Sequence, residues 1–162
     1  MPAFRDGEVQ LFESGAILLH LAEKDERLMP SDPQARASTI SWLFAAFNSV
    51  EPLMFELGNI DIFSREEQWA KLRRPSLMAF AGQRFDRLAD ALEGRDYLAG
   101  PFTVADIAMA TVLREAGDTD LVSARPALAA YLARCLERPA FKRALSAQLA
   151  VFAANQPEGE AA

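Results

Sequence analysis

Two adjacent residues, Glu13 and Ser14, have side chains and a position that could do chemistry. They stand at the front of LFESGAILLHLAEK, Leu11 to Lys24, directly before a run that is apolar on nearly every side. A helix start leaves its first backbone N–H groups without partners and carries the positive end of the helix dipole, which suits an anion. Ser14 adds a hydroxyl, and Glu13 adds an acceptor for a cation. A carboxylate and an ammonium on one carbon, as in an amino acid, would use both. The plain alternative makes Ser14 an ordinary N-cap and Glu13 an exposed charge. On spacing alone the plain alternative is the stronger.

A second constellation is PFTVADIA, Pro101 to Ala108. Thr103 reads as an N-cap, and Asp106 as the N3 residue that reaches back to the Thr103 N–H. Phe102 can pack on Ile107 one turn on. That is a capping box and a hydrophobic staple on one helix start. Asp106 could serve as a buried acid, but the cap accounts for it. His20, the one histidine, reads as a surface or satisfied residue on a helix. Cys135 lies on an apolar stripe and reads as a packing thiol. KLRR, Lys71 to Arg74, reads as a solvated helix face. No Cys/His ligand cluster, phosphate-binding glycine loop or GxSxG elbow occurs, so no metal is expected.

These residues need elements to hold them. PAFRDGEVQLF predicts a hairpin, with Asp6-Gly7 as a type I′ turn and Val9 and Leu11 alternating with polar neighbours. Ser14 is expected to cap a helix running to about Asp25. MPSDP, Met29 to Pro33, reads as a linker, with Asp32 as N-cap and Pro33 at the first helical position. From there the chain reads as five helices. The first carries the stripe Ile40, Leu43, Phe44 and Phe47, with a kink at Pro52. Ser64 with Glu67 predicts a capping box for the second, and Pro75 should bend or break it near its start. Its apolar face is Leu77, Phe80, Ala81, Phe85, Leu88 and Leu92. The third follows the Thr103 cap. Leu128, Tyr131, Leu132, Cys135 and Leu136 mark the fourth. Pro139 opens the fifth, with Phe141, Leu145 and Phe152 facing inward.

The totals set the class. The 162 residues fit one sizeable domain or one and a fraction, and 51% of them are apolar. A net charge of −6 argues against a general nucleic-acid binder, which would show a basic face. A single cysteine excludes an internal disulfide, and the default compartment is a reducing one, the cytoplasm. The apolar window Gly15 to Ala22 is too short to span a bilayer. The tail Gln156 to Ala162, polar and small, is expected to fray.

The order of these motifs resembles the glutathione S-transferase superfamily. A short strand after a proline, a DG hairpin, ESGAI opening a helix, a linker, then five helices with the FTVAD box cover nearly the whole chain. ERPAFKRAL, Glu137 to Leu145, is similar to the family's last helices. The resemblance implies a mainly α chain. Residues 1–28 would be the second half, hairpin plus helix, of a thioredoxin-like domain. Residues 29–155 would be the all-helical C-terminal domain, and residues 156–162 a flexible tail. Glutathione would be the co-substrate. Pro2 matches the family's cis-proline, and Met1 would lend its backbone to the cysteinyl part. Glu13 and Ser14 match the pair that holds the γ-glutamyl amino and carboxylate groups. Thr103 and Asp106 match the family's folding box. Trp42 and Asn48 lie on the helix that borders the electrophile pocket in the family.

One departure matters. The family keeps its catalytic Tyr, Ser or Cys after the first strand of the thioredoxin-like domain, and that first βαβ unit has no counterpart here. No residue takes the catalytic role. Two explanations are an internal methionine taken as a start, or a truncated form; the other is a degenerate short paralogue. The expectation is a glutathione transferase family protein, homodimeric, acting on a small hydrophobic electrophile or reducing with the same thiol. As written, the chain should have little or no activity. The alternative is a non-catalytic module used for assembly.

Overall fold

The computed structural model describes residues 2–117 and 119–155. The expectations for Met1 and for the tail 156–162 fall outside them. Strands β1 (Ala3–Asp6) and β2 (Val9–Phe12) form one antiparallel hairpin, followed by α1 (Ser14–Ala22). The rest is helical: α2 (Pro33–Ala45), α3 (Glu51–Gly58), α4 (Gln68–Ala91), α5 (Val104–Arg114), α6 (Pro126–Leu136) and α7 (Pro139–Ala154). The mainly α reading holds. With α2 and α3 counted as one interrupted run, the five helices after the linker are the five that the sequence predicts.

The hairpin turn sits one residue later than predicted. Asp6 pairs with Val9, so Gly7 and Glu8 are the loop residues. Gly7 has φ 61, and Glu13 is the only non-glycine with positive φ among the described residues. A positive φ at the first loop position alone is the II′ pattern, not I′. Asp6, freed from the turn, reaches α1 instead. It accepts from His20 Nε2 at 2.9 Å and from Lys24 Nζ. These bonds, Lys24 first and His20 second, hold the Asp6 carboxyl below the usual carboxylate range. A lowered folded value contributes stability above the ordinary Asp range, and this is lost as pH falls through the lowered value. Asp6→Asn should therefore loosen the hairpin at neutral pH. The check is amide exchange: Phe4 and Leu11 should lose protection while α5 keeps its own.

The caps obey local rules only in part. Asp32 accepts from Ala35 N–H at 2.8 Å with Pro33 behind it, as predicted. The Ser64–Glu67 box does not form. Ser64 closes the preceding helical run, its carbonyl takes the Glu67 N–H, and Glu67 itself is the extended residue before α4. Pro75 does not break α4, which runs through it.

The expected kink at Pro52 is a π turn. Proline has no N–H to give to the carbonyl four residues back. The chain inserts one residue instead: Ala46–Val50 forms a π turn in which Glu51 N–H donates to Ala46 O, five residues earlier. A second π turn, Asn59–Phe63, follows α3.

Helix α5 is the centre of the core. Val104, Ala105, Asp106, Ala108, Met109, Ala110, Val112 and Leu113 are all buried on it. It packs against α1, α2, the first π turn, α3 and α6. Burying each Leu- or Met-sized side chain stabilises by about 1.5–3 kcal/mol. Two stripe residues are corrected. Phe44 is 56% exposed, because the buried line of this run is Thr39, Leu43, Ala46 and Val50. Phe152 is 67% exposed, and α7 buries no residue fully. Phe80 is also half out of the core. The KLRR charges are largely paired, Lys71 with Glu66, Arg73 with Glu56 and Arg74 with Asp61, which fits a solvated face. No helix of the described residues is long and apolar enough to cross a membrane.

Candidate functional site

The hairpin assembles the first group. Ala3 pairs with Phe12, which carries Pro2 alongside Glu13 as the chain turns into α1. Ser14 is not the N-cap; Glu13 is. Glu13 adopts φ 73 and ψ 124 and caps nothing with its side chain. A non-glycine residue in such a region costs about 1–3 kcal/mol and persists only where its surroundings impose it. The result is a helix start with no side-chain cap and no acidic residue in its first turn. Its carbonyl takes the Ile17 N–H at 3.0 Å, which leaves the N–H groups of Ser14, Gly15 and Ala16 at the helix mouth. Glu13 and Ser14 are both exposed beside them.

The field around this mouth has two lobes. The dipole end and free N–H groups are positive. Beside them lie carboxylates. Burial, and then the Glu13 charge, push the Glu51 carboxyl above the usual range. Burial, and then Glu51, do the same to Glu115. Glu51 therefore feels Glu13, and Glu115 feels Glu51. Sequence spacing did not single out Glu51; its signal is Pro52, which forces the π turn that delivers it. An anion seat flanked by carboxylates fits a group that carries both charges, such as an α-amino acid end.

The other predicted residues are placed as follows. Trp42 is half-buried against the core, and Asn48 is exposed on the first π turn. Cavities of about 750, 560 and 480 Å³ occur, and none is lined by Glu13, Ser14, Trp42 or Asn48. The smallest lies between α5 and α7 and has Cys135 in its wall. Burial pushes the Cys135 thiol up to about 11, so it stays protonated and inert near neutral pH.

Thr103 and Asp106 form the predicted capping box, and it is wholly buried. Thr103 N–H donates to Asp106 Oδ2 at 2.8 Å, and the Thr103 hydroxyl lies 3.3 Å from the same oxygen. Asp106 Oδ1 accepts from Leu98 N–H and from Tyr131 Oη, both at 3.0 Å. Burial raises the Asp106 carboxyl against these four bonds. It also raises the Tyr131 phenol, which stays a donor. Leu28 O takes the Val104 N–H at 3.1 Å, which fastens the linker to the box. The arrangement is buried and its hydrogen bonds are made, which suits a structural lock. Among the described residues no cluster of three or more His, Cys, Asp or Glu could hold a metal ion.

Comparison with known proteins bears on this geometry. Residues 74–139 match the family model for the glutathione S-transferase C-terminal domain. A glutathione S-transferase of Hyoscyamus muticus is 28% identical over 157 residues, covering 90% of this chain and 73% of that protein. The disulfide-bond oxidoreductase YfcG of Escherichia coli is 32% identical over 116 residues, or 66% of this chain and 49% of that protein. Among solved structures, a glutathione transferase of Burkholderia graminis superposes with a TM-score of 0.78 at 32% identity. It covers 85% of this chain and 60% of that one, and was crystallised with two glutathione molecules per subunit. The chain thus spans less than two thirds of both bacterial relatives.

Proposed function

We propose that this chain is a member of the glutathione S-transferase superfamily, on its match over residues 74–139 and its similar proteins, and that it holds the γ-glutamyl end of glutathione at the mouth of α1. Ser14 and the first N–H groups of α1 take the carboxylate, and Glu13 takes the ammonium. Pro2 borders the cysteinyl part. The carrying observation is the uncapped helix start, with Glu13 strained to φ 73 beside it. We divide the chain into residues 1–28, a partial thioredoxin-like unit, and residues 29–155, the helical domain.

The test is calorimetry with glutathione on the whole chain and on Ser14→Ala. A hydrogen bond to a charged group is worth about 1.5–3 kcal/mol, so the variant should bind roughly tenfold or more weakly. A folded chain that takes up no glutathione sinks this reading and moves the assembly module ahead.

The reaction of the intact protein is thiolate chemistry in the cytoplasm: attack on a small hydrophobic electrophile, beside Trp42 and Asn48, or reduction. The two glutathione molecules in the Burkholderia graminis protein and the name of the Escherichia coli relative favour disulfide reduction as a second reading. This chain alone should conjugate glutathione no faster than the uncatalysed reaction. A conjugation assay with a chromogenic aryl halide checks that. A homodimer is supported by Phe55, Ile62, Phe63 and Leu72, all strongly exposed on α3, the turn after it and α4. Sedimentation should give twice the chain mass.

A further inference from the structure

The close approach of α2–α3 to the mouth of α1 carries one more assignment. Gly15 follows the Glu13–Ser14 pair. A Cβ placed on it would stand 3.2 Å from Cδ2 and 3.3 Å from Cε2 of Phe47, nearer than a side chain comfortably sits. The Phe47 ring therefore rests against the bare backbone of the first turn of α1. Gly15 is needed there for room, since its φ is helical. Phe47 belongs to the π turn Ala46–Val50, and Glu51, the residue closing that turn, feels the Glu13 charge. Phe47 thus bears on the helix mouth by contact, and Glu51, which closes the same turn, by charge. Phe47 is half-buried, whereas its neighbour Phe44 is exposed.

We propose that Phe47 is a positioning residue for glutathione binding: its ring, aimed by the π turn, braces the backbone at Gly15 and so fixes the N–H groups beside Glu13 and Ser14. Phe47 touches no ligand in this assignment, which rests on the glutathione reading above. The physical reason is preorganisation. The mouth of α1 has no side-chain cap, and its N-cap residue is strained, so the first turn would fray without a brace. Fraying costs affinity because binding must then order the turn. Gly15 and Phe47 form a matched pair, since Ala at position 15 would push the ring away.

The experiment uses the whole chain with Phe47→Ala, Phe47→Leu, Gly15→Ala and, as a control, Phe80→Ala. Exchange of the Ile17 amide, which is bonded to Glu13 O, is read first, without ligand. Phe47→Ala and Gly15→Ala should speed it roughly tenfold, Phe47→Leu much less, and Phe80→Ala not at all. Equal exchange in Phe47→Ala and wild type overturns the proposal. Glutathione affinity is read next. Phe47→Ala should weaken it roughly tenfold, and Phe47→Leu should restore most of that. In a Ser14→Ala background the Phe47→Ala loss should shrink, because both act on one grip. Faster exchange with unchanged affinity, or full additivity with Ser14→Ala, also overturns it. Should the wild-type chain bind no glutathione, the parent reading fails, and the exchange data still decide whether Phe47 braces α1. If Phe47→Ala does not fold, Phe47→Leu and Gly15→Ala carry both readouts.

Discussion

Asp106→Ala should lower the stability of the chain by roughly 3–5 kcal/mol, a large part of what a domain of this size has. The carboxylate is fully buried and holds two backbone N–H groups, Leu98 and Thr103, and the Tyr131 hydroxyl. Alanine leaves these three donors without partners, each costing about 1–3 kcal/mol when buried, and removes the fourth bond, from the Thr103 hydroxyl, as well. It also removes the reciprocal cap, worth about 1 kcal/mol by itself. Asp106→Asn keeps one acceptor oxygen for Leu98 and Tyr131 but turns an amide toward Thr103 N–H, so its cost should fall between. Urea unfolding followed by Trp42 and Trp69 fluorescence measures both. The pH dependence has a definite sign. Burial raises the folded value of Asp106 above that of the unfolded chain. Such a group contributes stability that is fully present below the ordinary Asp range and is lost as pH rises through the raised value. The gap between wild type and Asp106→Asn should therefore widen as the pH is lowered through that value, then level off. A gap that narrows on acidification would mean that the four hydrogen bonds outweigh the burial.

What could be read from the residues depended on how local the cause was. Thr103 with Asp106, and Asp32 with Pro33, are decided within a single turn, and the structure has both. Ser64 with Glu67 has the same spacing and does not form, because a π turn ends on Phe63 and takes Ser64 out of position. That turn has no signature in Ser64 or Glu67 themselves. Pro52 announced a disturbance, but its form, one inserted residue and not a bend, depends on how α2 and α3 pack on α5. Phe44 and Phe152 have the right period for burial and lie outside the core. Thr39 takes the buried line at one, its hydroxyl satisfied by Ala35 O at 2.8 Å. Helix α7 packs along α6 alone among the helices it meets most, so its far face stays wet. At the candidate site the pair Glu13 and Ser14 was legible as chemistry. Their roles at the helix start were exchanged: Glu13 is the N-cap residue, at positive φ, and Ser14 is the first residue of α1.

Arg125→Ala should cost about 2–3 kcal/mol, and the cost should hardly depend on salt. Arg125 stands just before α6 and ties three elements together. Its Nη1 donates to Leu121 O at 2.7 Å, its Nη2 to Gly82 O in α4 at 2.9 Å, and its Nε to Asp86 Oδ1 at 2.7 Å. The guanidinium side chain is 16% exposed, while Asp86 is 62% exposed. That asymmetry decides which bonds matter. An ion pair with so wet a partner contributes about 0–1 kcal/mol and is screened by salt. The two carbonyls are part-buried, and each loses its added donor when the fork goes. Gly82 leaves room for the approach; a Cβ there would stand 3.4 Å from Nη2. Asp86→Ala should then cost under about 1 kcal/mol and account for all the salt dependence. Arg125→Lys keeps the charge but not the fork, so it should recover little of the loss. Urea unfolding of the three variants at low and high salt separates these terms. A lysine variant as stable as wild type would reverse the assignment, making charge and not the planar fork the tie between α4 and α6.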